Sequence, residues 1–428
     1  MSNQVQPEFE TETVSPIADD VSKGDLKELR PVPRISIQAF CETEIVAQTL
    51  EMTAKDRRMA RAHVKVLMGG VPAAVEFYGT APTPNLVIVE SKLVGEELMA
   101  NLGRLAEVCD SETKVVVIGH LNDILAYREL INNGVSDYLV APVSMADLMS
   151  AISEIFVNPE KGPLGKIIAF MGAKGGVGSS TICHNVSWSI ASKFKIETVL
   201  ADLDLAFGTA NFNLDEDPPQ GIAEAVYSPD RMDDILLDRL LKKCADHLSL
   251  LAAPSTLDRT YDFNHDAFNG VLEVAQRTSP MVVLDIPQQW TAWTKTVLAA
   301  ADEVVITAAP ELANLRNAKN LMDTLNEMRP NDSQPRLVIN QVGIPKRPEI
   351  SVAEFAGSLN MQASAVIPFD PGLFGTASNN GQMISEADGK NPIVAHFDFI
   401  AQLVTGKAEL KVEKKGALSL FSRFSKKK

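Results

Sequence analysis

KIIAFMGAKGGVGSST, residues 166–181, decides how this chain is read, and VLADLD at 199–204 completes the unit. An apolar run from Ile167 to Met171 enters a loop holding Gly172, Gly175, Gly176 and Gly178, and Ser180 and Thr181 open an amphipathic segment. That order predicts strand, glycine loop, helix. Glycines let backbone N–H groups turn inward onto an anionic oxygen, and a helix N-terminus adds partial positive charge. The loop is expected to hold phosphate; a glycine-rich turn without that role is the alternative reading.

The common phosphate loop reads G-x-x-x-x-G-K-[ST], with its Lys on the terminal phosphates and its hydroxyl on Mg²⁺. Here Ala173 stands at the first Gly position and Ser179 at the Lys position, while Lys174 comes early in the order K-G-G-V-G. That order resembles the deviant Walker loop of the ParA/MinD ATPases. The resemblance implies that Ala173, Lys174, Gly175, Gly176, Val177, Gly178, Ser179, Ser180 and Thr181 line bound ATP. It also implies that Ser180 meets Mg²⁺ and that Lys174 reaches across a nucleotide-sandwich homodimer.

Three further runs fit around this loop. A strand from Glu197 to Ala201 ends in Asp202-Leu203-Asp204. Strand-end carboxylates there can hold Mg²⁺ through water and orient an attacking water, although an ordinary turn also selects Asp. By resemblance this is the first switch, with Asp204 tied to hydrolysis. The apolar run Met281 to Leu284 ends in Asp285, the form of a Walker B strand that holds Mg²⁺ through water. Two more buried strands are expected at Val304 to Thr307 and Leu337 to Ile339. Asn340 after the second offers both a donor and an acceptor to an adenine edge, or closes a turn. Pro368, in Ile367-Pro368-Phe369-Asp370, flanks the base by resemblance. Trp290 and Trp293, three residues apart, are expected on one helical face as packing or dimer contact.

The chain has 428 residues, enough for two or three domains, and a net charge of −15, which argues against a DNA-coating surface. No nucleic acid is expected as a partner. No apolar run approaches the roughly 20 residues of a membrane span, and no basic-then-apolar signal opens the sequence, so a cytoplasmic protein is expected. Cys41, Cys109, Cys183 and Cys244 lack metal-like spacing and suit reduced thiols. Residues 1–33 are acidic and poor in large apolar groups, which predicts a disordered arm.

Residues 34–157 alternate short apolar runs with helical stretches, predicting a doubly wound parallel α/β domain. Gly134 to Pro142, followed by Asp147-Leu148, resembles a response-regulator receiver. Phosphorylation chemistry needs a carboxylate nucleophile, an acidic pair, a hydroxyl and a lysine. Glu90 falls at the nucleophile position, Ala39-Phe40-Cys41 replaces the acidic pair, Gly119 the hydroxyl and Ala141 the lysine. A receiver-like domain that is not phosphorylated is expected, used for docking or dimerisation. Glu90 reads as a surface carboxylate or as a permanent charge. Residues 158–165 form a Pro- and Gly-bearing linker, and 166–405 form the ATPase-like domain.

A degenerate receiver ahead of a ParA/MinD-type domain with Ser179 in the loop resembles the CpaE/TadZ family of Tad (Flp) pilus assembly proteins. The resemblance implies an α/β protein of two such domains that binds ATP and Mg²⁺ and localises or organises a pilus secretion complex. Expected partners are a second copy, the Tad pilus assembly ATPase, inner-membrane machinery and a polar landmark protein. Losing the second loop Lys implies slow or absent hydrolysis. Residues 406–428 form a basic tail in which Ala417, Leu420, Phe421 and Phe424 share one helical face. It reads as a peripheral membrane contact or as a solubilising end. Three rival functions remain: a DNA partition ATPase, a phospho-signalling response regulator, and a scaffold independent of nucleotide.

Overall fold

In a computed structural model, residues 29, 31–156, 164–257 and 259–406 are described. The expected basic tail lies outside them from residue 407 onward, as do residues 1–28 of the expected arm and 157–163 around the expected linker. The chain divides into two units, Met1–Phe156 and Val157–Lys428.

Among the described residues the first unit holds five parallel strands: β1 (Ser36–Cys41), β2 (His63–Met68), β3 (Leu86–Ser91), β4 (Lys114–Gly119) and β5 (Asp137–Val140). They lie in the order β2-β1-β3-β4-β5, the doubly wound arrangement typical of receivers. Alternation along the strands sends Ile37, Leu86, Ile88 and Ile118 to one face and Phe40, Val87, Val89 and Val117 to the other. Helices Glu44–Ala54 and Met145–Phe156 cover the first face, and Gly70–Tyr78 and Gly95–Val108 the second. Val32, within the stretch read as an arm, is fully buried in the first of these layers.

Glu90 corrects one expectation. At 1% exposure it is no surface carboxylate. Its Oε2 accepts the N–H groups of Glu42 (2.7 Å) and Thr43 (2.8 Å), and Oε1 accepts the Thr43 hydroxyl (2.8 Å) and lies 3.0 Å from His120 Nε2. Backbone and side chains of the chain itself thus occupy the carboxylate. A Cβ on Gly119 would meet Tyr138 Oη at 2.1 Å, so the phenol fills the space of the missing hydroxyl side chain.

Among the described residues the second unit carries eight strands: β6 (Lys166–Gly172), β7 (Thr198–Asp202), β8 (Lys242–Ala245), β9 (Leu248–Leu251), β10 (Met281–Ile286), β11 (Glu303–Ala308), β12 (Arg336–Val342) and β13 (Ala363–Pro368). Their order is β13-β12-β11-β6-β10-β7-β9-β8, parallel except that β8 runs antiparallel to β9. This is the fold class the sequence implied, a P-loop α/β unit following a receiver-like one. In such sheets ligands bind beyond the carboxyl ends of the strands, where the winding reverses. Here β6 sits at that place, between β10 and β11.

Helix Ser179–Phe194 follows the glycine loop and packs on Pro392–Thr405 with Ile182, Val186 and Ile190 buried. The paired tryptophans do not share a helical face. The helix Ala292–Ala300 begins after them in part: Thr291 caps it by accepting the N–H of Thr294, which leaves Trp290 before the first turn and 50% exposed. Trp293 is buried, its ring centroid 4.6 Å from that of Phe268.

Candidate nucleotide site

The loop between β6 and its helix is shaped by two left-handed glycines, Gly176 at φ 80° and Gly178 at φ 82°. A side chain is strained there whatever the space, and at Gly178 a Cβ would also lie 2.6 Å from Asn340 Nδ2. The neighbouring strands and the helix Leu312–Met328 pin the loop. Ala173 N–H donates to Thr307 O (2.8 Å), and Asn317 Nδ2 donates to Ala173 O (2.9 Å). Asn340 Nδ2 donates to Val177 O (2.8 Å), and Gln341 Nε2 to Gly176 O (2.9 Å). With the carbonyls of Ala173, Gly176 and Val177 held, the loop has the N–H groups after Ala173 to offer an anion.

Ser180, Asp202 and Asp285 come together: Ser180 Oγ donates to Asp285 Oδ1 at 3.1 Å, and Asp202 and Asp285 place oxygens within 4.8 Å of each other. Asp202 is fully buried, with Oδ1 accepting Asp204 N–H and Oδ2 accepting Ala210 N–H, both at 3.1 Å. Burial, with the Asp285 charge adding, pushes its carboxyl up to about 7. Asp204 stands apart from that cluster, its Oδ1 accepting Phe207 N–H at 3.1 Å. Burial raises its pKa as well.

Lys174 and Pro368 lie at the edges. Lys174 is half-exposed with Nζ 3.4 Å from Glu311 Oε2, and Pro368 ends β13 exposed to solvent. Asn340 spends its amide N–H on the loop carbonyl, and Thr181 O accepts Asn185 Nδ2 at 2.8 Å within the helix.

Besides Asn317, three participants escaped the sequence reading. Gln341, at φ 57°, carries no pattern that marks it. Glu311 lies 3.4 Å from Lys174 Nζ and accepts from Asn314 Nδ2 (3.1 Å). His184 joins Asp202 and Asp285 in one buried cluster. Its signal was present: it follows Ser180 by four residues and therefore shares that helix face.

The cluster offers the hard oxygen donors that Mg²⁺ takes, a hydroxyl and two carboxylates. Ser179 Oγ, at the position of the absent lysine, is buried without a hydrogen-bond partner. An orphaned hydroxyl beside a cradle of N–H groups fits a polar ligand better than a closed structural turn. The residues present therefore fit a Mg–nucleotide. Fold and site together define a P-loop protein of the ParA/MinD type.

Comparison with known proteins agrees. Residues 165–339 match the AAA domain family. The septum site-determining protein MinD of Bacillus subtilis is 24% identical over 274 residues, 61% of this chain and 98% of that protein. The MinD of Pyrococcus horikoshii, solved complexed with Mg-ADP, is 17% identical with a TM-score of 0.51, covering 58% of this chain and all of that one, a likeness of fold. The crystallised pilus assembly protein CpaE of Caulobacter crescentus is 44% identical over 30% of this chain and 98% of its own, with a TM-score of 0.30. By that sequence identity the chain belongs to the CpaE family of ParA/MinD-type proteins. Among the described residues no helix is long and apolar enough to cross a membrane.

Proposed function

We propose that the chain is an ATP- and Mg²⁺-dependent dimerising factor that places or organises a Tad (Flp) pilus secretion complex. The observation that carries the reading is the Ser180–Asp285 contact beside a glycine loop whose own lysine, Lys174, is half-exposed and meets Glu311. In this reading the loop 173–181 binds the phosphates through the backbone N–H groups that follow Ala173, whose own N–H is held by Thr307 O, with Asn340 and Gln341 keeping the loop in shape. Ser180, Asp202 and Asp285 would hold Mg²⁺, partly through water, and Asp204 orients the attacking water. Bound Mg²⁺ neutralises charge on the phosphates. Lys174 contributes its charge to the nucleotide of the second copy.

Ser179 supplies no cation where the common loop has Lys, and removing one such electrostatic contact typically costs roughly 10² to 10³ in rate. Turnover is therefore slow while nucleotide-dependent assembly persists. The receiver-like unit, with Glu90 fully engaged inside the chain, serves docking rather than phosphotransfer. Contact with inner-membrane pilus machinery at a cell pole belongs to the same reading.

Sedimentation velocity of the full chain with Mg-ATP, Mg-ADP or no nucleotide tests it. A dimer in Mg-ATP that dissociates without nucleotide is expected. The same oligomer in all three conditions, or no measurable nucleotide binding, overturns the proposal.

A further inference from the structure

One polar side chain in the cluster has no part in the reading above. His184 is fully buried on helix Ser179–Phe194, one turn after Ser180. Its Nδ1 lies 3.0 Å from Asn213 Nδ2, and its Nε2 lies 3.1 Å from Asp285 Oδ2. With Nδ1 accepting from the Asn213 amide, Nε2 is the ring nitrogen that donates to the carboxylate. The other oxygen of Asp285, Oδ1, accepts the Ser180 hydroxyl at 3.1 Å. Both carboxylate oxygens are thus engaged by residues of one helix, spaced i and i+4.

We infer that His184 is a positioning residue for the divalent cation: it aims the Asp285 carboxylate, and Asn213 selects the tautomer that lets it do so. The inference rests on the Mg–nucleotide reading of the site. Ser180 and Asp285 would hold the cation, and the contact from His184 falls on Oδ2, the carboxylate oxygen that Ser180 does not touch. The carboxylate then meets the cation already oriented instead of paying for that order at binding. An outer partner of this kind typically changes metal affinity 10- to 100-fold when removed. Asn213 ends the short helix Ala210–Asn213, which follows Asp204, so the same chain of contacts ties the segment after Asp204 to the cation ligand.

The test is a titration of the full chain with a fluorescent ATP analogue, in EDTA and across a Mg²⁺ series. Wild type is compared with His184→Met, which keeps bulk and loses the donor, and His184→Gln, whose amide N–H reaches the place of Nε2. The Mg²⁺ midpoint should rise about 10- to 100-fold in the Met variant, with binding in EDTA unchanged, and return to within a few-fold of wild type in the Gln variant. Asn213→Ala, at a half-buried position, should raise the midpoint by a smaller factor and carries the test if the Met variant does not fold. A folded Met variant with the wild-type midpoint, or a Gln variant no better than Met, overturns the inference. A wild-type chain whose nucleotide binding ignores Mg²⁺ overturns the reading beneath it instead.

Discussion

Lys174 Nζ and Glu311 Oε2 of one chain lie 3.4 Å apart, and the same carboxylate is shared with Arg347, whose Nη1 is 3.4 Å from Oε1. The lysine proposed to serve a second copy is therefore held by an anion of its own chain. At half exposure this contact is weak and screened, and it competes with any phosphate Lys174 could meet. Lys174→Ala should abolish ATP-dependent dimerisation while leaving monomer nucleotide affinity within a few-fold. Glu311→Gln should raise the dimer fraction at limiting ATP. Sedimentation velocity reads both; a Glu311→Gln chain that dimerises less would show that the carboxylate supports the lysine instead of competing for it.

Ser179→Lys restores a cation at a position whose hydroxyl is buried and unpartnered. If the missing charge limits turnover, phosphate release should rise by about 10-fold or more, short of the full roughly 10² to 10³ because the surroundings are not tuned to it. Unchanged turnover with intact Mg-ATP binding would place the limit elsewhere.

The loop, the carboxylates at 202 and 285 and the parallel sheets were legible because each is written locally, as buried runs closing in glycine or aspartate. The edge hairpin of β8 and β9 was not. Its strands are four residues each, Lys242 and Lys243 blunt the outer one, and His247 turns the chain at φ 64° without a glycine to mark it. Glu90 was misjudged because its partners, Glu42 and Thr43, lie almost fifty residues away and meet it only through the β1–β3 pairing. Trp290 and Trp293 have helical spacing, but the cap at Thr291 separates them.

Asp202 sets a pH dependence. Burial and the neighbouring Asp285 raise its carboxyl from 3.8 to about 7. The folded chain thus holds this proton more tightly than the unfolded chain, so the contribution is fully present below about pH 4 and is lost as pH rises through 7. The Mg²⁺-free chain should lose several degrees of thermal midpoint between pH 5 and 8, and Asp202→Asn should flatten that slope. Parallel slopes for the two proteins in differential scanning calorimetry would refute the assignment.

Glu90 sets the opposite one. Burial disfavours its charge, yet the hydrogen bonds from Thr43, Glu42 and His120 outweigh that and lower its pKa below 4.5. Its contribution is present above the ordinary Glu range and is lost as pH falls below it. Glu90→Ala leaves the Glu42 and Thr43 N–H groups without their acceptor, at about 1 to 3 kcal/mol for such a group. Urea unfolding should show the first unit destabilised by about 2 to 4 kcal/mol, and acetyl phosphate should leave the wild-type chain unlabelled. Labelling at Glu90 would overturn the docking role given to this unit.

Trp290 reports on assembly directly. It is half exposed while Trp293 is buried, and Phe207 at 70% and Leu312 at 74% are further exposed apolar residues following β7 and β11, the strands on either side of the β6–β10 pair. Aromatic side chains of this kind dominate the energy of interfaces when they become buried. If the strand-end face closes on a second copy, Trp290 emission should shift to the blue on adding Mg-ATP and not Mg-ADP, and the shift should depend on protein concentration. Trp290→Ala should weaken dimerisation by at least about 2 kcal/mol, roughly 30-fold in dissociation constant, with nucleotide affinity of the monomer retained. An emission change independent of concentration would locate the tryptophan's response within one chain, and a fully stable Trp290→Ala dimer would move the contact surface away from this face.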